Sequence, residues 1–290
     1  AGARNLIING ACVIDQRNSG SSVTPADTNY TVDRWRYTAS QASKFTFQQN
    51  AGSVTPPTGF ENYMGFTVAS AVTVGSGDYF AITQRIEGYN VNQLEFGTSN
   101  ARTVTLSFWV RSSLTGTFGG ALRGASFGRS YPFTYAISSA NTWEYKTVTV
   151  AGDTSGTYQS GNTTGLEVIF GLGVGSTYSG TAGAWTASGH FSATGAVSVV
   201  GTGSATWQVT GVQLELGEQA TPFEHRSFGD ELAKCQRYFQ IHDDMHFRGY
   251  ATGTNQRIEQ YFALGTTMRA DPTRAVITAG SSSNVRSAAT

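Results

Sequence analysis

The sequence predicts an all-β protein, and within that class a jelly-roll β-sandwich with one short helix and a small C-terminal β segment. Its 290 residues include 35 glycines and only 13% charged residues, a composition typical of short strands joined by tight turns. Apolar and polar residues alternate with a period of two in several segments, which places one set of side chains on a buried face. No helical pattern separates these segments, so the strands are expected to pair antiparallel in two facing sheets.

The strand segments follow one another along most of the chain. Those with the alternating pattern are 5–8, 32–38, 44–48, 79–87, 103–110, 143–150, 166–172 and 205–216. Stretches rich in Gly, Ser, Asn and Thr lie between them and predict loops. An immunoglobulin-type sandwich fits less well than a jelly-roll, because that fold takes about 100 residues with a Cys, Trp, Cys arrangement that is missing from this sequence.

One segment has helical spacing instead. Leu232, Cys235 and Tyr238 recur three residues apart, after an N-cap candidate at Ser227 or Asp230, which predicts an amphipathic helix over about 228–240. The predicted domains are therefore a jelly-roll at 1–227, the connecting helix at 228–240, and a β-rich segment at 241–290. Strand-like runs at 247–251, 257–264 and 274–279 either add to the jelly-roll or begin a further module, and the further module is the favoured interpretation.

Charge and cysteine content exclude several classes of function. Nineteen Lys and Arg residues balance nineteen Asp and Glu residues, so no net charge attracts nucleic acid. No apolar stretch approaches the roughly 20 residues that span a bilayer, and no membrane insertion is predicted. Cys12 and Cys235 are too few for a disulfide framework or a zinc site, so both are predicted to be free, buried thiols, in a chain folded in a reducing cytoplasm.

Seven short motifs occur in a fixed order over most of the first 240 residues. They are NLIING at 5–10, DRW at 33–35, QRIE at 84–87, VTLSFWVR at 104–111, WQVTGVQLE at 207–215, ATPFE at 220–224 and ELAKCQRYF at 231–239. In this order and spacing they resemble a carbohydrate-binding-like module of bacteriophage tail, fibre and other virion proteins.

The resemblance implies a jelly-roll on a homo-oligomeric, usually trimeric, appendage of the virion, made in the host cytoplasm. Its expected partners are further copies of the chain, other virion proteins and host-surface polysaccharide. It implies no catalytic residue and no cofactor. We therefore expect a tail-fibre or similar subunit that binds host glycan, and the alternative is a purely structural adaptor, capsid-attached fibre or decoration protein without sugar affinity.

Aromatic residues in the predicted loops are the candidate glycan ligands, because amphipathic rings at the end of a sandwich suit weak, multivalent sugar contacts. They are Tyr131, Phe133, Tyr135, Tyr158, Tyr178 and Trp185. The alternative for the same rings is subunit contact within an oligomer.

A charged cluster is interpreted as structural rather than as a ligand site. Asp33, Arg34 and Trp35 open one predicted strand, and Arg85 and Glu87 share a face of another, so a core Trp with buried ion pairs is expected. A Trp stacked on a sugar with Asp and Arg hydrogen-bonding its hydroxyls is the alternative.

No metal site and no enzyme are predicted. His242, Asp244 and His246 would share a strand face, and Asp243 lies among them, but a solvated polar turn is the favoured interpretation. The sequence contains no triad order, nucleophile elbow, P-loop or HExxH motif. A polysaccharide depolymerase would need two carboxylates about 5 to 10 Å apart. The available ones are Asp78, Glu87, Glu95, Glu144, Asp153, Glu167 and Glu215.

Overall fold

The computed structural model describes residues 4–124, 126–242 and 264–273, and most of them lie in or between β-strands. The strands are β1 (Arg36–Ala39), β2 (Phe45–Gln49), β3 (Met64–Val68), β4 (Tyr79–Glu87), β5 (Val104–Ser112), β6 (Gly116–Gly124), β7 (Arg129–Ile137), β8 (Glu144–Val150), β9 (Thr164–Val174), β10 (Ser179–Gly180), β11 (Ser192–Ala193) and β12 (Thr206–Leu216). The helix α1 spans Phe228–Gln236.

Ten of these strands form two five-stranded sheets. The first sheet has the order β2-β3-β12-β5-β8, and the second has the order β1-β4-β9-β6-β7. Every neighbouring pair within the two sheets is antiparallel, whereas β10 and β11 form a separate short parallel pair. The predicted all-β jelly-roll sandwich is confirmed.

Aromatic side chains from both sheets fill the core between them. Phe170 on β9 lies 4.9 Å from Phe108 on β5 and 5.4 Å from Trp207 on β12, measured between ring centroids. Trp35 is fully buried beside them, and its Nε1–H donates a hydrogen bond to the Asn9 carbonyl at 3.1 Å. The alternating strand pattern therefore directs one set of side chains into a single apolar layer.

Two predicted strands differ from the structure near the N-terminus. Residues 5–8 form no strand, although the Leu6 amide donates to the Leu214 carbonyl at 2.9 Å. The predicted strand at 32–38 begins only at Arg36, because Arg34 has a φ of 74°. That left-handed backbone turns the chain and interrupts the extended conformation.

Besides the two-residue strands β10 and β11, three strands of the large sheets were missed, for physical reasons that concern glycine and proline. β6 (GTFGGALRG) reads as a loop because of its glycines, and β7 contains Pro132, which cannot donate a ladder hydrogen bond. β7 tolerates this proline since it is the edge strand of the second sheet. The third, β3, is a five-residue strand with a glycine that has no clear alternating pattern.

The second sheet is buried on both faces. Its outer face is covered by residues 175–198, here called the covering segment, in which Phe191 packs against Ala81, Ala121 and Ile169. Glycine in the sheet makes this close approach feasible: a Cβ added to Gly119 would lie 2.3 Å from the Ser192 hydroxyl oxygen. The period-two pattern of the strands alone does not reveal this second buried face.

Helix α1 starts where the sequence predicts and ends earlier. The Ser227 hydroxyl accepts a hydrogen bond from the Asp230 amide at 3.2 Å, which makes Ser227 the N-cap. The helix ends at Gln236 rather than near residue 240. Both cysteines are free and buried, as predicted.

The C-terminal prediction lies largely outside the described residues. The runs 247–251 and 274–279, and all of 257–264 except its last residue, fall there. Residues 264–273 contain no regular element, and the division of the chain into domains remains a prediction. In the described part of the chain, no helix is long and apolar enough to cross a membrane.

Candidate functional site

Half of the predicted glycan ligands lie on a strand. Tyr131, Phe133 and Tyr135 belong to β7, so their placement in a loop is wrong. Phe133 and Tyr135 are only 2% and 5% exposed, because alternate residues of β7 face the core. The Tyr135 hydroxyl also accepts a hydrogen bond from Nε1–H of Trp207 at 3.1 Å. Neither of these two rings is presented to a ligand.

Three of the six predicted ligands lie close together beside Phe96. We call these four rings, Tyr131, Tyr158, Trp185 and Phe96, the side cluster. Trp185 lies 5.7 Å from Tyr131, 6.4 Å from Tyr158 and 5.6 Å from Phe96. The Trp185 Nε1–H donates to the Ala151 carbonyl at 2.7 Å, and the Tyr158 hydroxyl donates to Asp153 at 2.8 Å. The polar groups of these two rings thus bind the protein itself, and the cluster holds loops on the sandwich.

The remaining predicted ligand, Tyr178, lies elsewhere, against the outer face of the second sheet. Tyr79 on β4 stacks on Phe191 with an interplanar angle of 10° and a centroid distance of 5.1 Å. Tyr178 stands edge-on to both rings, at 5.1 Å from Tyr79 and 5.7 Å from Phe191. All three rings are half-buried, so each keeps part of its surface open to solvent.

Arginines continue this aromatic surface along the sheet. The Arg123 guanidinium lies 4.3 Å from the Phe191 ring centre and 4.9 Å from that of Phe127, and Arg85 lies 4.8 Å from Phe127. One carboxylate, that of Glu167, binds both arginines, at 2.6 Å from Arg123 Nη2 and 3.2 Å from Arg85 Nε. We call Tyr79, Tyr178, Phe191, Phe127, Arg85 and Arg123 the outer aromatic face.

A cleft of about 160 Å³ adjoins this face where β4 and helix α1 end. We call it the arginine cleft. Its charged and aromatic lining residues are Arg17, Tyr30, Asp33, Arg34, Arg85, Glu87, Tyr238, Phe239 and Arg269. The structure thus brings together four members of the cluster that the sequence predicted to be structural, Asp33, Arg34, Arg85 and Glu87, whereas Trp35 lies apart in the core.

The charges of the cleft are fixed by different partners. Glu87 binds Arg237 through both carboxylate oxygens, at 3.0 and 2.9 Å, rather than Arg34. Asp33 accepts hydrogen bonds from the backbone and side-chain amides of Gln16, the former at 3.1 Å. Arg34 instead donates to the carbonyl oxygen of Arg85.

The pKa values of the two carboxyl groups in the cleft are shifted in opposite directions. Burial raises the pKa of Asp33 above its usual value despite the hydrogen bonds of Gln16 and the charge of Arg17. Burial also opposes ionisation of Glu87, but the hydrogen bonds from Arg237 outweigh it and lower the pKa of Glu87. Opposite shifts are typical of glycosidase pairs. Here, however, hydrogen-bond donors of the protein occupy both oxygens of each carboxylate, so neither is free to act on a substrate.

Three other carboxylates considered for catalysis are also engaged. Asp153 binds Arg129 at 2.8 and 2.5 Å, and its pKa is lowered because these bonds and that of Tyr158 outweigh the effect of burial. Glu215 accepts hydrogen bonds from the Gln213 side chain and from Thr221. Glu144 binds Lys146 at 2.6 Å, and that hydrogen bond lowers its pKa.

Within the described residues, no group of three or more His, Cys, Asp or Glu side chains could hold a metal ion. Asp243, Asp244 and His246 of the predicted polar turn lie outside those residues.

The sequence matches no protein-family model and no curated protein. Several solved carbohydrate-binding modules are similar to this chain. A family 4 module is 15% identical, with 72% of this chain and 98% of that chain covered and a TM-score of 0.34. The module TmCBM61 in complex with β-1,4-galactotriose is 11% identical, with 75% and 100% covered and a TM-score of 0.34. A family 11 module from Clostridium thermocellum in complex with a β-1,3-1,4-mixed-linked tetrasaccharide is 14% identical, with 70% and 97% covered and a TM-score of 0.33.

Proposed function

We propose that this chain is a subunit of a tail fibre or similar external appendage of a bacterial virus, and that it binds host-surface glycan through the outer aromatic face. The virion role is supported by the seven motifs and their order in the sequence. In this proposal the chain is made in the host cytoplasm, forms a homotrimer and is assembled into the virion. No covalent chemistry is required of it.

Glycan binding is supported by one observation above all: the half-buried rings of Tyr79, Tyr178 and Phe191 lie beside the guanidinium of Arg123. Aromatic rings can pack against the C–H face of a sugar, while the Arg85 guanidinium, which is more exposed than that of Arg123, can donate hydrogen bonds to the sugar hydroxyls. A ligand that is apolar on one face and polar at its edges matches both groups.

The length of the outer aromatic face suits an oligosaccharide. Tyr79 and Arg85 lie on the same side of β4, six residues apart, which corresponds to roughly 20 Å at about 3.3 Å per residue. A surface of this length accommodates several sugar units in a row. Three copies on one appendage would multiply a weak affinity per site, provided that their geometry lets them bind together.

A purely structural role is the second candidate, and an observation on the first sheet favours it. Tyr145 on β8 is 44% exposed and lies 5.3 Å from Trp109 on β5. Exposed aromatic pairs of this kind are enriched where proteins contact one another. This patch is suited to a contact between subunits or with another virion protein.

A glycan array on the purified protein, run beside a reducing-sugar release assay on host lipopolysaccharide, tests the proposal. We expect binding without release of sugar. Silence in both assays would favour the structural role, and release of sugar would show a depolymerase. Light scattering tests the trimer, whose mass would be three times the 30.8 kDa of one chain.

A further inference from the structure

The arginine cleft contains more positive than negative charge. Four arginines line it, Arg17, Arg34, Arg85 and Arg269, against the two carboxylates of Asp33 and Glu87. Glu87 is engaged by Arg237, which does not line the cleft. Arg85 shares Glu167 with Arg123, so that carboxylate does not restore the balance.

Among the arginines of the cleft, Arg34 most clearly lacks a nearby negative charge. It is only 6% exposed, and no carboxylate among the described residues lies within 4 Å of its guanidinium. Its Nη2 donates to the Arg85 carbonyl. Its buried Nε–H has no hydrogen-bond partner among the residues that the structure describes. A buried guanidinium without a counter-charge is unfavourable, so an anion in contact with it would stabilise it.

A second unpaired polar group lies next to Arg34. The hydroxyl of Tyr238 is buried, and no group among the described residues meets it with hydrogen-bond geometry, although Glu87 lies near it and has its pKa lowered by it. The Tyr238 ring lies 3.3 Å beneath the Arg34 guanidinium. Both side chains line the same cleft. An N–H donor and an O–H donor that are both unpaired in one cavity are complementary to a ligand that accepts two hydrogen bonds.

The cavity limits the size of that ligand. A volume of about 160 Å³ is well above the ~10–15 Å³ that a single water molecule needs, so the cleft has room for a small ligand group. This holds a small anionic group together with part of the ring that carries it. A folded protein segment would not fit.

The cleft is continuous with the outer aromatic face. Arg85 lines the cleft and also stands over Phe127, which in turn contacts Arg123 beside Phe191. A glycan that lies along this face would therefore reach the cleft with one of its sugars. The anionic group expected in the cleft is then part of the glycan.

We propose that the arginine cleft binds the carboxylate of an acidic sugar, a hexuronic acid, through Arg34 and Tyr238. The planar carboxylate offers two acceptor oxygens, which match the guanidinium fork and the phenol hydroxyl. This inference rests on the proposed glycan-binding function and specifies the class of glycan.

Calorimetric titration of the full-length protein tests the inference with three probes: trigalacturonate, neutral galactotriose and sodium acetate. We expect trigalacturonate to bind at least tenfold more tightly than galactotriose, with a preference that weakens as salt rises. Arg34→Gln and Tyr238→Phe should each remove most of that preference. Tyr238→Phe keeps the ring beneath Arg34, so it remains informative even if Arg34→Gln does not fold. Arg102→Gln is the control, because it removes the same charge from an exposed residue that does not line the cleft.

The outcomes separate this inference from the proposed function. Equal affinity for the acidic and neutral oligosaccharides overturns the inference and leaves glycan binding intact. An acidic preference that survives both Arg34→Gln and Tyr238→Phe places the carboxylate elsewhere and also overturns it. Binding of acetate but of neither oligosaccharide shows a site for free anions only, which overturns the inference, and glycan binding would then rest on the array alone.

Discussion

The guanidinium of Arg237, one residue beyond the end of helix α1, binds both carboxylate oxygens of Glu87 at the end of β4, at 3.0 and 2.9 Å. Glu87 is only 4% exposed, and 150 residues of sequence separate the two partners. The pair therefore attaches the helix to the second sheet. It also holds Glu87 in the wall of the arginine cleft.

Removal of this pair should destabilise the protein. Arg237→Gln leaves the Glu87 carboxylate buried without a counter-charge, and we expect a loss of about 2 kcal/mol in the free energy of unfolding, less than for a fully buried pair because Arg237 is partly exposed. Urea denaturation measures it. Lys234→Gln, a change of the same charge in the last turn of the helix, should cost less than about 0.5 kcal/mol. Equal losses in the two variants would contradict this role of Arg237.

The stability of the protein should fall in acid. The pKa values of Glu87, Asp153 and Glu224 are held below their ordinary values by hydrogen bonds and nearby arginines, which outweigh the opposing effect of burial. Carboxylates of this kind contribute stability that is fully present above their unfolded-state pKa values, about 4, and is lost as the pH falls through the folded-state values.

Denaturation at a series of pH values from 7 to 3 measures this effect. Asp153→Asn should be less stable than the wild type at pH 7 and should lose less stability between pH 4 and pH 3. The raised pKa of Asp33 acts in the opposite direction and reduces the total. A wild type whose stability is constant from pH 5 to pH 3 would refute the prediction.

The Tyr135 hydroxyl should contribute to the stability of the protein and not to its affinity for glycan. Tyr135→Phe leaves the buried Nε1–H of Trp207 without its acceptor, and we expect a cost of about 1–2 kcal/mol. Tyr131→Phe is the matched control on the same strand, because the Tyr131 hydroxyl makes no hydrogen bond within the described residues. Thermal denaturation and glycan affinity are measured on both. A loss of affinity in Tyr135→Phe at unchanged stability would contradict the structural role.

Gly119 should be sensitive to a single methyl group. Gly119→Ala places a Cβ 2.3 Å from the Ser192 hydroxyl oxygen, so the covering segment must shift, at an expected cost of about 1–3 kcal/mol. Gly77→Ala, where a Cβ meets nothing within 4 Å, should be near neutral. Denaturation of the two variants compares them. The same stability in both would mean that the covering segment does not lie close to the sheet.

The sequence predicts the sandwich better than its surface. The alternation at 79–87 coincides with β4, because its larger apolar residues Phe80, Ile82 and Ile86 recur on the face that packs in the core. β6 was missed because of its glycines, of which Gly119 makes room for Ser192, a residue about 70 positions away. Its strand character depends on a tertiary contact that no local pattern reports.

The residues of the candidate site could also be predicted only in part. Asp33, Arg34, Arg85 and Glu87 were grouped from two motifs, and the structure places them around one cleft. Their partner Arg237 could have been found, since it lies in the motif at 231–239. Phe191 could not, because only the path of the covering segment brings its ring to the sheet.

Binding by two tyrosine variants tests the outer aromatic face most directly. Tyr178 and Tyr131 are both half-buried, and neither hydroxyl makes a hydrogen bond within the described residues. The affinity for the best glycan from the array is measured for Tyr178→Ala and Tyr131→Ala, after circular dichroism shows that both fold. We expect a loss of about tenfold for Tyr178→Ala, equivalent to ~1.4 kcal/mol, and less than about twofold for Tyr131→Ala. An unchanged affinity in Tyr178→Ala, or a larger loss in Tyr131→Ala, would contradict glycan binding at this face.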